Sequence, residues 1–317
     1  MKEKHIILNA DDFGANDFID HGIYRAIDAG RVTSVSAFVT HDDSQSRIQQ
    51  LRKKHPQIPI GLHFSFTSGS PISGRDSLLT TREQGRLLFQ PVKNYKYRPA
   101  RKKGVEIANE LELQLDRLQN LLGGYHQIDH VTVHHNLTNF ELKYFRPKVD
   151  VLTRHSIPMR SIHAWSASLT MIDDSDDNRL ELAPIMRRGL ELKILNIDML
   201  ASKKREKYAR KRGLKFPDYL CDVIYGQPSV PHFEYLLDHF KGDDDDTEYS
   251  IEYMLHLGDR TDLTEDQYKK SLKSHGLNDE YYDMRQKELD TLLSINLDQY
   301  LDRYGVRKSC YRDLDYN

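Results

Sequence analysis

The sequence predicts an α/β fold, an irregular TIM-like (β/α) barrel of about seven parallel strands with helices outside. Strand-like and helix-like segments alternate along the 317 residues without a break in composition, which is typical of parallel sheets. The length also suits a closed barrel. A doubly wound open sheet is the alternative architecture. We expect a single domain over residues 1–317, with a long insertion at about 65–100.

Hydrophobic spacing predicts the elements of the first half. Apolar residues at helical spacing over 18–27 predict the first helix, and Gly30 can close it in the left-handed conformation. Asp42 or Asp43 is the expected N-cap of the second helix. The predicted order is strand 5–10, helix 16–30, strand 32–40, helix 42–55, strand 58–64, helix 103–124, strand 128–135, helix 140–156 and strand 157–165.

The second half gives weaker signals. Residues 190–198 fit either a strand or the end of a helix, whereas the alternating run at 248–258 predicts a strand. Charged and amphipathic stretches predict helices, and the last residues suggest a short strand. The remaining predictions are helices at 203–213, 264–276 and 279–294 and a strand within 304–314.

Composition excludes several classes of protein. The net charge of −2 gives no overall field that would attract nucleic acid or an anionic membrane. No apolar run approaches the roughly 20 residues of a membrane-spanning helix, and we identify no signal peptide. Cys221 and Cys310 are the two cysteines and form no disulfide framework. We expect a cytoplasmic protein that binds neither nucleic acid nor membrane, and a homodimer is compatible with the sequence.

Ionisable side chains follow four of the predicted strands. Asp11 and Asp12 end the first strand, His63 ends the third, His134 ends the fourth, and His256 ends the late strand at 248–258. Because ligands bind at the carboxyl ends of parallel strands, these groups are expected to face one cleft.

This combination of residue types favours metal-assisted hydrolysis. One carboxylate and two imidazoles form a site that leaves coordination positions open for water and substrate, and a second carboxylate can accept the proton of that water. A mononuclear iron oxygenase uses similar ligands and is an alternative. Each feature alone has a simpler interpretation, such as a helix cap or a structural histidine. His135 should face away from the cleft if its strand stays regular.

Four sequence blocks resemble one family. "NADDFG", "GLHFSFTSGSPIS", "DHVTVHHN" and the late "MLH" resemble the YdjC-like carbohydrate deacetylases, which include chitooligosaccharide and diacetylchitobiose deacetylases. The resemblance implies a TIM-like barrel, one divalent metal ion and the removal of acetyl groups from N-acetylated sugars.

The same resemblance implies roles for the residues at the strand ends. Asp12, His63 and His134 would be the metal ligands, Asp11 the general base and His256 the general acid. Two imidazoles suit zinc better than magnesium, whereas the resemblance suggests magnesium, so both ions stay open.

Three positions depart from the family pattern. Thr132 stands where an Asp is usual, Asn136 where a third His is usual, and Leu257 where a Pro is usual. The departures at Asn136 and Leu257 allow a second interpretation, a sugar-binding or regulatory protein that has lost turnover.

The predicted partner is a small N-acetylated mono- or oligosaccharide, with or without a phosphate. The insertion at about 65–100 would cover the sugar site. Arg160 and Trp165 flank the fifth predicted strand. They are expected either to contact the sugar or to be a surface arginine and a packed tryptophan.

Overall fold

The computed structural model describes residues 4–91, 94, 100–140, 142–162, 203–222, 248–275 and 279–314. Two predictions, the strand or helix end at 190–198 and the role of Trp165, lie outside these residues. In the described ranges, every helix is too short or too polar to cross a lipid bilayer.

A curled parallel sheet of seven strands forms the centre of the fold. Its order is β6-β3-β2-β1-β8-β7, and β9 pairs with the start of β1. Every pairing in this sheet is parallel, which confirms the predicted barrel-like α/β class. The strands are β1 (Lys4–Phe13), β2 (Ser34–Ala37), β3 (Ile60–Phe64), β6 (Ile128–Val133), β7 (Tyr219–Asp222), β8 (Tyr249–Leu255) and β9 (Val306–Lys308).

Backbone hydrogen bonds link the two ends of this sheet. The Arg160 amide donates to the Val131 carbonyl of β6 at 3.0 Å, and the Met159 amide donates to the Lys215 carbonyl at 3.0 Å. Lys215 precedes β7, so the chain around Met159 spans the distance between the edge strands. The described part of the predicted strand 157–165 is therefore a single bridge between Met159 and Val131.

Helices cover the outside of the sheet. Gly30 follows the first helix with φ of 67°, and its amide donates to Ile27, as the sequence predicted. Asp43 occupies the N-cap position of the second helix but makes no side-chain capping bond. The helices are α1 (Asp17–Asp28), α2 (Ser44–Lys54), α3 (Ala100–Leu122), α4 (Leu137–Phe140), α5 (Leu142–His155), α6 (203–210), α7 (Glu265–His275), α8 (Asp279–Ser294) and α9 (Leu297–Tyr304).

The insertion at 65–100 contains a hairpin that periodicity did not reveal. Strands β4 (Thr80–Glu83) and β5 (Arg86–Phe89) pair antiparallel. Gln84 and Gly85 connect them, both with positive φ, as the favoured two-residue hairpin turns require. The Phe89 amide donates to the Gly69 carbonyl at 3.0 Å, which holds the hairpin against the loop after β3. The hairpin therefore lies beside the carboxyl end of a site strand.

Candidate metal centre

A bulge at the end of β1 turns two neighbouring carboxylates toward the same group. Adjacent residues of a regular strand face opposite sides. Here Ala10 pairs with Val35 but Phe13 pairs with Ala37, so β1 carries one extra residue. Asp12 has a φ of 71°, a conformation that Asp tolerates better than most residues. Both carboxylates are buried and both approach His63.

Three donor atoms from three strand ends converge beside this bulge. Asp12 Oδ1 lies 3.0 Å from His63 Nε2 and 3.4 Å from His134 Nδ1. The two imidazole nitrogens are 3.4 Å apart. Asp12 Oδ1 is buried and accepts no hydrogen bond of regular geometry from the part of the chain that the structure describes. A carboxylate oxygen and two imidazole nitrogens that face one another in this way fit a divalent ion.

Thr132 contacts the His63 ring at Nδ1, the nitrogen that is not directed at Asp12. The Thr132 hydroxyl lies 2.7 Å from His63 Nδ1, and both side chains are buried. This contact leaves Nε2 of the ring to face Asp12. Partners of this kind orient ligand imidazoles and fix their tautomer.

Arg285 holds the other oxygen of Asp12. It reaches Asp12 Oδ2 from α8, is fully buried, and also donates to the Leu257 carbonyl. Burial by itself would raise the pKa of Asp12, but Arg285 and the two histidines hold it well below its usual range. Arg285 was not among the site residues predicted from the sequence. The sequence feature that could have indicated Arg285 is an arginine between Tyr282 and Leu289, on the buried face of the helix.

Arg160 forms a bidentate ion pair with both carboxylate oxygens of Asp11. The distances are 2.8 Å to Oδ2 and 2.9 Å to Oδ1, and Arg160 Nε donates to Glu252 at 2.7 Å. Arg160 is buried, so both earlier interpretations, a sugar contact and a surface arginine, give way to a structural ion pair. Burial opposes ionisation of Asp11, but Arg160 and His63 lower its pKa to about 2.

His256 follows β8 at the same mouth of the sheet. Its backbone amide donates to Glu288 Oε1 at 2.8 Å, and its side chain is buried. Burial and then Arg285 lower the pKa of His256 to about 3, although Asp12 and Asp11 act in the opposite direction. The ring is therefore neutral at pH 7.

The chain matches the family model described as YdjC-like protein over residues 5–303. It belongs to this family. Several curated relatives are named for sugar deacetylation. A chitooligosaccharide deacetylase of Klebsiella pneumoniae is 32% identical over 142 residues, which are 45% of this chain and 53% of the relative. The match therefore spans about half the length of that relative.

Another relative of this YdjC-like protein is a carbohydrate deacetylase of Vibrio cholerae. It is 31% identical over 198 residues, which are 59% of this chain and 73% of the relative. A solved structure from Enterococcus faecalis, provisionally described as a cellobiose-phosphate cleavage protein, superposes with a TM-score of 0.71 over 98% of both chains at 19% identity. At that identity the likeness concerns the fold.

The chain leaves β6 of the YdjC-like protein through a kink. The strand ends at Val133, and His135 and Asn136 have φ of 60° and 51°. His135 is exposed, and its Nδ1 lies 3.1 Å from the Thr67 hydroxyl. His134 therefore joins the donor cluster and its neighbour does not.

A polar cavity of about 610 Å³ opens beside the metal centre. It is lined by the loops after β1, β2 and β3, by the hairpin and by α7. Thr67 lines this cavity and contacts His135, whose ring centroid lies 3.8 Å from that of His134, so two side chains connect the cavity to the donor cluster. Arg47 and Arg86 in its wall are paired with Asp17 and Asp42 at 2.6 and 2.7 Å.

Proposed function

We propose that this protein is a metal-dependent hydrolase that removes acetyl groups from N-acetylated sugars. The observation that carries the proposal is the convergence of the Asp12, His63 and His134 donor atoms beside a second buried carboxylate, Asp11. The names of the Klebsiella and Vibrio relatives support the reaction class. Because two of the three donors are imidazoles, zinc or a similar transition metal fits better than magnesium.

An ion held by these three side chains would polarise the acyl oxygen and lower the pKa of bound water. Asp11 is the proposed acceptor of the water proton. Its low pKa keeps it ionised at pH 7, and Arg160 fixes its direction. Amide hydrolysis requires that one proton move from water to the departing nitrogen. His256 is the proposed group that delivers this proton, and because it starts neutral the proton must reach it within the site.

The adjoining cavity is the proposed sugar site. Its volume of about 610 Å³ lies within the range of small-molecule sites, which are about 300–1,000 Å³. Most of the side chains that line the cavity are polar, as hydroxyl-rich ligands require. Arg47 and Arg86 pair with carboxylates, and Lys270 is a further cation in the wall, so the proposed ligand is an N-acetylated sugar with or without a phosphate.

Metal removal tests the proposal directly. We expect the protein to bind about one equivalent of zinc and to release acetate from N-acetylglucosamine oligomers, and chelation should abolish this release until zinc is added back. His134→Ala should lose the metal, while His135→Ala, its exposed neighbour, should keep it. Metal content and acetate are measured on the same samples. Acetate release that survives complete metal removal would contradict the proposal, and sugar binding without acetate release would identify a binding protein instead.

The contact between Thr132 and His63 leads to a second prediction. Thr132→Val removes the hydroxyl but keeps nearly the same volume at a buried position. Loss of such a partner typically weakens metal binding by about 10–100-fold, and we expect a loss in this range by competition with a chromogenic chelator. Thr138→Val is a matched control because Thr138 is also buried and is not among these ligands or their partners. Equal affinities in all three proteins would contradict the prediction.

A further inference from the structure

A chain of buried hydrogen bonds runs through the interior of the sheet to Asp11. Asn9 Nδ2 donates to Asp11 Oδ1 at 2.8 Å and to Ser36 Oγ at 2.9 Å. Ser36 Oγ lies 2.8 Å from His130 Nε2, and His130 Nδ1 lies 2.9 Å from Asp129 Oδ2. None of these five residues is more than 1% exposed.

When the His130 ring carries a single proton, the donors and acceptors of this chain allow one consistent arrangement. An ionised Asp129 can only accept, so His130 carries its proton on Nδ1 and presents Nε2 as an acceptor. The Ser36 hydroxyl then donates to His130 and accepts from Asn9. Asn9 is left with its second amide hydrogen for Asp11. Asp129, at the far end of this row of hydrogen bonds, thus determines the orientation of the Asn9 amide.

The surrounding structure is shaped to hold the His130 ring. The ring stacks on Tyr311 with centroids 4.0 Å apart. A Cβ at Gly61 would lie 2.4 Å from the ring, so β3 has to carry a glycine there. Ser34 Oγ also donates to Asp129 Oδ2 at 2.9 Å. These contacts leave His130 little freedom to turn.

We propose that Asn9, Ser36, His130 and Asp129 form a positioning chain that orients the carboxylate of Asp11 for proton transfer. The proposal rests on the proposed hydrolase function and adds residues that neither belong to the donor cluster nor line the cavity. Well-packed apolar side chains would stabilise the interior about as well as a satisfied polar network does. Orientation of the Asp11 carboxylate therefore explains these hydrogen-bonded residues better than a contribution to folding stability does. The positioning chain acts on Asp11 Oδ1, the oxygen that also accepts a hydrogen bond from Arg160 Nη2.

Two buried serines on parallel strands of the sheet supply a pair of variants. Ser36→Ala breaks the link between His130 and Asn9, while Ser250→Ala on β8 removes a buried hydroxyl that donates to Asp218, outside the positioning chain. We expect Ser36→Ala to lower kcat for acetate release about tenfold with KM within twofold, because small errors in the placement of reacting groups are costly. Ser250→Ala should change kcat less than twofold, and the two melting temperatures should fall by similar amounts.

Two further measurements decide the matter. In an Asp11→Asn background, Ser36→Ala should have no additional effect on kcat, because the group it orients is gone. In crystal structures, Ser36→Ala should turn the Asn9 amide and lose its 2.8 Å bond to Asp11, and Ser250→Ala should preserve both. Equal kcat losses in the two serine variants, or an undisturbed Asn9–Asp11 bond in Ser36→Ala, would overturn the positioning chain. The crystal structures give this answer even if the wild type releases no acetate, in which case the hydrolase proposal alone fails.

Discussion

Asp11→Asn is expected to lower kcat for acetate release by about 10²–10⁴-fold, the usual contribution of a general base. Asparagine has nearly the same shape but cannot accept the water proton. Asp11 is not one of the three converging donors, so metal content should stay near that of the wild type. Steady-state kinetics together with metal analysis separate the loss of the base from the loss of the ion.

The control for this variant is Glu252→Gln. Arg160 is shared between Asp11 and Glu252, so either substitution removes one of its two buried negative partners. If Asp11→Asn acted only by removing negative charge beside the buried Arg160 guanidinium, Glu252→Gln would lower kcat by a similar factor. We expect less than a tenfold loss for Glu252→Gln. Near-normal turnover of Asp11→Asn would show that another group accepts the proton.

The strand ends of the candidate site were predictable because a parallel sheet collects them at one edge. Asp12, His63 and His134 each follow a short apolar run, and their convergence requires only that β1, β3 and β6 be parallel strands of one curled sheet, in which β2 separates β1 from β3. The prediction therefore depended on the fold class rather than on any side-chain detail. The same reasoning does not explain how Asp11 and Asp12, adjacent in sequence, both face the cleft. Both carboxylates face the cleft because β1 carries a bulge between Ala10 and Phe13. The sequence has no glycine within this bulge to predict it.

The cations of the site were not predictable from the same pattern. Arg160 and Arg285 come from segments distant in sequence and neutralise Asp11 and Asp12 respectively. Ion pairing of this kind depends on tertiary contacts, whereas sequence periodicity reports only which face is buried. Strand β7 was missed for a related reason: its four residues are too few to show a period. The hairpin in the insertion is similarly short.

Removal of Arg285 is expected to have the largest effect on stability. Arg285 is fully buried and pairs with Asp12, and the loss of one partner of a buried ion pair costs about 3–5 kcal/mol. We expect Arg285→Met to lower the free energy of unfolding of the metal-free protein by that amount in urea titrations. Arg260→Met is the surface control, because the Arg260–Asp283 pair is exposed and 3.7 Å apart. Exposed pairs contribute about 0–1 kcal/mol.

The size of the Arg285 effect should depend on the metal. In the metal-free protein Arg285 is the one arginine that pairs with Asp12 among the described residues, so Arg285→Met leaves a buried carboxylate without a full counter-charge. A divalent ion on Asp12 Oδ1 supplies positive charge at the same group. The stabilisation that zinc confers, measured as the difference between unfolding free energies with and without the ion, should therefore be larger in Arg285→Met than in the wild type. If Arg285 served only to fill space, Arg285→Met would lower the unfolding free energy of the metal-free and the zinc-bound protein by the same amount. Such an equal loss would contradict the proposed electrostatic coupling between Arg285 and the donor cluster.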